Sequence, residues 1–162
     1  MSEPLQPQYE RLLEGLRGYG ANYREFSRRF AAWLGLHSTD AEALIEILGA
    51  EERGVPLSPA RLSERISLSS GATTALLNRL EQAGHVVRTR EHTDRRIVTL
   101  HSSQRVQHLA DEFFGPLAER VDTVMSAYPP GLLEQFQTFI TDLRGAMNDQ
   151  LAAAPPRPPA EP

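Results

Sequence analysis

The chain has 162 residues, 17 of them basic and 21 acidic, a formal charge of −4 and no cysteine. That length suits one domain with a real hydrophobic core, and the lack of cysteine excludes disulfides, thiolate metal clusters and a thiol switch. There is no apolar leader and no apolar run of roughly the 18 residues a membrane span needs, so a soluble cytoplasmic protein without a membrane partner is expected.

In chain order, residues 1–8 are expected to be a flexible start. Tyr9, Leu12, Leu16, Tyr19, Tyr23, Phe26, Phe30 and Trp33 then recur at alternating three- and four-residue steps, which predicts one long amphipathic helix. Gly15, Gly18 and Gly20 weaken its intrinsic propensity, so packing has to hold it. Such a stripe is longer than a small domain can cover, which points to a contact between subunits as well as a core. Residues 39–51 read as a second helix with Ala43, Leu44, Ile47 and Leu48 inward, Thr39 as its cap and Glu42 at the capping-box position. Gly54 and Pro56 make the following link irregular.

Ser58-Pro59 then signals a helix start, with Leu62 and Ile66 inward, and Ser67-Leu68 supplies a short turn. Ser69 caps the next helix, whose apolar side is Ala72, Leu76, Leu77 and Leu80. Its opposite side presents Gly71, Thr74, Ala75, Asn78 and Gln82. Only a helix with a small leading surface enters a major groove, and Ser70, Gly71, Thr74 and Ala75 provide one. The first-turn N–H groups and the hydroxyls of Ser69 and Ser70 suit phosphate. Asn78 and Arg79, further along the same helix, are also candidates for contact with DNA. Two β-prone runs, Val86–Arg90 and residues 97–100, flank a polar turn over 91–96 and predict a two-stranded wing. Arg95 or Arg96 is the candidate for minor-groove insertion, Asp94 for holding the loop's shape, and Arg88 and Arg90 for phosphate.

The charge distribution supports a nucleic-acid partner where the total does not. Residues 58–100 carry seven arginines against four acids, whereas residues 1–57 carry six against nine and residues 101–162 four against eight. All the basic residues are arginine, which a GC-rich coding bias explains better than a need for bidentate contacts.

After the wing, Val106, Leu109, Ala110, Phe113, Leu117, Val121, Val124 and Met125 trace a helix containing Pro116, a residue that can kink it. Ser102 or Ser103 is the candidate cap at its start. Pro129-Pro130 ends that helix and opens the last one, striped by Leu132, Leu133, Phe136, Phe139, Ile140, Leu143 and Met147. The Ala/Pro-rich residues 151–162 are expected to be a disordered tail.

The stretch SPARLSERISLSSGATTALLNRLEQAGHVVRTREHTDRRIVTL resembles the helix-turn-helix and wing of the MarR family of bacterial transcriptional regulators. The specific elements are residues 76–84, LLNRLEQAG, and Asp94-Arg95-Arg96 followed by Val98-Thr99-Leu100. The resemblance covers residues 9–150 in element order. It implies a mainly α fold with a small two-stranded β wing, a winged-helix part over 38–100, and dimerisation helices over 9–36 and 103–150. It also implies a homodimer that binds double-stranded DNA at a pseudo-palindromic operator, with the helix over 69–83 reading bases, repression as the commoner outcome, and release by a small-molecule effector. Leu12, Leu16, Tyr19, Phe113, Leu117, Val121, Phe136, Ile140 and Leu143 are the residues expected at the dimer seam. Tyr19, Tyr23, Phe26, Trp33 and His37 are candidates for an effector pocket. Where the family often has Leu-Thr and a nearby Gly after the wing, this chain reads His101-Ser102-Ser103-Gln104.

His85, His92, His101 and His108 form no close metal motif, and neither a cofactor nor a metal is expected, although ligands that converge only in space leave a zinc-responsive reading open. No H-E-x-x-H, phosphate-binding glycine loop or G-x-S-x-G occurs, so no enzyme is expected. The rival reading is a winged-helix module that binds protein and not specific DNA.

Overall fold

The computed structural model describes residues 6–90 and 96–153. Six helices and a hairpin follow in the order α1 (Gln6–Leu34), α2 (Ser38–Glu52), α3 (Pro59–Arg65), α4 (Ser70–Gln82), β1 (Val86–Arg90), β2 (Val98–Ser102), α5 (Gln104–Ser126) and α6 (Pro130–Ala152). They divide into two compact units, residues 1–113 and 114–162.

In the first unit α2 is the hub, with α1, α3, α4 and β2 all packed on it. Leu44 and Ile47 of α2 are fully buried with Phe30, Leu62, Leu76, Leu77, Leu80, Leu100 and Val106, so every element down to the start of α5 contributes to one core. A second cluster of rings joins it. Phe113 lies 5.2 Å from Phe30 and 5.4 Å from Trp33, centroid to centroid, within the range where tilted aromatic pairs attract.

Local chemistry sets most boundaries. The Ser58 hydroxyl accepts from the Arg61 N–H, with Pro59 opening the helix, and the Ser69 hydroxyl accepts from the Ala72 N–H; both satisfy donors that a helix start leaves free. Between them Ser67 takes a left-handed conformation, φ 54°, and the Ser63 hydroxyl donates to the Leu68 carbonyl at 2.7 Å to hold the turn. Gly84, φ 73°, lets the chain leave α4 for the wing without a Cβ clash.

Two expectations need correction. Thr39 does not cap α2: the helix starts at Ser38 with His37 at the cap position and no side-chain cap bond. Just before it a backbone turn closes the end of α1, with Gly35 at φ 67° and the Leu36 N–H donating to the Ala31 carbonyl. The second wing strand is also displaced, running Val98–Ser102 in antiparallel register from Val86↔Ser102 to Arg90↔Val98. Polar His101 and Ser102 stay in the strand because Glu51 of α2 binds both: its carboxylate lies 3.0 Å from His101 Nδ1 and accepts from the Ser102 N–H and hydroxyl. Ser103, one of the two candidates, then caps α5 through the Val106 N–H.

In the second unit α5 continues through Pro116 to Ser126, and α6 follows after a short turn. Val124, Met125, Tyr128, Leu132, Leu133 and Phe136 line an apolar recess of about 340 Å³ at this turn. No residue of α6 is buried. Among the described residues no helix is long and apolar enough to cross a membrane.

Candidate nucleic-acid interface

Thr73, Leu76, Leu77 and Leu80 fix α4 into the core, and that face decides which side remains outward. Ser69, Ser70, Gly71, Thr74, Ala75 and Asn78 are all exposed. A Cβ built at Gly71 would meet nothing, so the leading surface of the helix is open as well as small. The Thr74 hydroxyl donates to the Ser70 carbonyl at 2.9 Å. Its proton is thereby engaged, and Thr74 presents lone pairs and a methyl group outward.

Arg79 has a structural attachment that the sequence did not show. Its Nε and Nη2 donate to the two carboxylate oxygens of Asp40 at 2.9 and 2.6 Å. Asp40 is only 2% exposed, so this fork joins the buried start of α2 to α4. The hydrogen bonds to Asp40 hold the guanidinium even more firmly protonated than usual. A signal existed: Asp40 sits one turn before Leu44 on the inward stripe, where a carboxylate needs a partner. The partner lies 39 positions away and could not be read from spacing.

Arg88 of β1 is likewise anchored. Its Nη2 donates to Asn78 Oδ1 at 2.9 Å and its Nε lies 3.5 Å from Glu81 Oε2. Neither Glu81 nor Glu51 was singled out by the sequence, yet they attach the wing to α4 and to α2 respectively. The Leu100 N–H also donates to the Leu57 carbonyl, tying β2 to the link before α3. Arg90 at the end of β1 and Arg96 before β2 are exposed. Arg95 and Asp94 lie outside the described residues.

The expected seam residues divide by exposure. Tyr19, Val121 and Phe136 are exposed, Leu12 is borderline, and Leu16, Leu117, Ile140 and Leu143 are half-buried. Phe113 is engaged by rings of its own chain. Of the expected pocket residues, Tyr19, Tyr23, Trp33 and His37 are exposed, and Phe26 borders a shallow polar recess with Asn22, Glu25 and Arg29. A cavity of about 300 Å³ lies elsewhere, lined by Leu48, Glu51, Glu52, Ser102, Gln107, Ala110 and Asp111. Among the described residues no group of three or more His, Asp or Glu could hold a metal.

Comparison with known proteins agrees with this architecture. A family model described as MarR family matches residues 34–97. The HTH-type transcriptional regulator YcgE of Bacillus subtilis strain 168 is 35% identical over 129 residues, 78% of this chain and 79% of the relative. The fold is shared with the transcriptional regulator BldR of Sulfolobus solfataricus, at TM-score 0.55 and 24% identity over 87% of this chain and 99% of the other. It is shared too with Streptococcus pneumoniae FabT, solved in complex with DNA, at TM-score 0.59 and 20% identity over 88% and 99%.

Proposed function

The chain belongs to the MarR family of winged helix-turn-helix transcriptional regulators, and from that premise we propose that two copies bind a pseudo-palindromic operator as a ligand-responsive repressor. DNA-binding regulation of transcription is the family's activity, not catalysis. In the proposed complex α4 enters the major groove and the wing meets the adjacent minor groove. The carrying observation is the division of α4 into a locked face, Thr73, Leu76, Leu77 and Leu80, and an open small face, Gly71, Thr74, Ala75 and Asn78. With one face sealed in protein, the other is presented in a fixed orientation, as base reading requires.

Two-fold pairing is supported by α6, none of whose residues is fully buried and whose Leu132, Phe136, Phe139 and Met147 are exposed. A second copy is the occupant that also matches a palindromic site. The proposed effector would act on the linkage between α2 and the wing, and the cavity beside Glu51 and Ser102 offers it space there. Arg96 is proposed for the minor groove, with Arg90 and the Ser69 and Ser70 hydroxyls on phosphate; Arg95 belongs to the same proposal.

Selection of bound duplexes from a random pool tests the reading. An inverted repeat is the expected result, and recovery of duplexes with no shared motif would refute it. Arg96→Ala should weaken binding across sequences and lower the salt slope by about one.

A further inference from the structure

Asn78 occupies the outward line of α4 with Gly71 and Ala75, and Arg88 reaches it from the wing. A guanidinium has only donors, so the atom that Asn78 offers Arg88 has to be its oxygen. Among the described residues the amide NH2 makes no hydrogen bond and is the end left for DNA. An asparagine that reads adenine uses both ends, accepting from N6 and donating to N7. Here a base amino group approaching Oδ1 would come up beside a cation and compete with a charge-assisted bond already in place. The same cation polarises the amide and makes its N–H groups stronger donors. Glu81 Oε2 lies 3.5 Å from Arg88 Nε, on the same edge of the guanidinium, an ion pair that keeps Arg88 beside the helix.

Resting on the operator reading above, we propose that Asn78 and Arg88 act as one donor unit. It selects a base edge that carries acceptors, guanine above all, at one position in each operator half-site. Guanine offers both N7 and O6 in the major groove, whereas adenine places an amino group where guanine has O6.

The test compares duplexes selected by the full-length wild-type protein, Asn78→Asp and Arg88→Met, with thermal melting confirming that each variant is folded. Asn78→Asp keeps an oxygen for Arg88 and replaces the NH2 with a second acceptor. It should therefore move one position per half-site from guanine to a base with an exposed amino group, cytosine or adenine, by roughly tenfold in relative affinity. Arg88→Met frees Oδ1 and should let adenine rise to parity with guanine there. A wild-type preference for adenine at the position altered by Asn78→Asp would overturn the assignment. So would a clear inverted repeat that Asn78→Asp leaves unaltered, with the operator reading intact. A wild-type pool with no motif would remove the operator reading and this assignment together.

Discussion

Helices α4 and α6 are both amphipathic, yet they meet opposite fates. In 13 residues α4 buries Thr73, Leu76, Leu77 and Leu80; in 23 residues α6 buries none. For α4 the cover is internal, since α2 offers α1, α3, α4 and β2 a common apolar surface, although Tyr9, Tyr19 and Tyr23 of α1 stay exposed. For α6 it is not, and Phe136, Phe139 and Met147 are exposed. An apolar stripe states that a face is to be covered and leaves open by what. Where the cover is internal, the stripe builds a fold; where it is missing, the stripe is left for the proposed interface.

The strongest way to break this comparison is to truncate a side chain in each region. Leu77→Ala should cost about 2–5 kcal/mol in urea unfolding, because it opens a cavity in a sealed core. Ile140→Asp should instead leave the circular dichroism of the fold in place and convert the proposed dimer into monomer in sedimentation. An Ile140→Asp chain that sediments like wild type would end the distinction.

A smaller effect sharpens the picture of the first unit. His85 is buried with no partner for Nδ1, and burial, assisted by the nearby Arg105, pushes its imidazole below the ordinary value of 6.5. The unfolded chain then takes up a proton as pH falls through about 6.5 while the folded chain resists, so stability present above that pH is lost below it. Urea midpoints at about pH 7.5 and about pH 5.5 should show this loss, and His85→Gln should remove most of the difference. An equal pH slope in that variant would place the cause elsewhere.

The smallest expected change is a gain. Ser67 carries a positive φ that glycine adopts without a Cβ penalty, and Ser67→Gly should raise the melting temperature by the equivalent of about 0.5–1 kcal/mol. A lowered melting temperature would show that the serine makes a compensating contact.

Much of the architecture is written locally and was legible for that reason. The caps at Ser58 and Ser69, the first wing strand, the outward small face of α4 and the long stripes depend on neighbours within a few positions, where residue type and spacing carry the information. The start of α2 was misjudged because no side-chain cap marks it, and the extent of β2 because a distant group sets it. Glu51 keeps His101 and Ser102 in the strand.

The sequence by itself determined which faces are apolar, where the helices of the helix-turn-helix begin, and that positive charge gathers over residues 58–100. Tertiary structure alone decided the long-range engagements, that of Arg79 by Asp40 among them, and turned Asn78 to meet Arg88. The physical reason is range. Periodicity and capping act within a turn or two of chain, whereas a guanidinium finds its carboxylate only after folding has closed the loop between them.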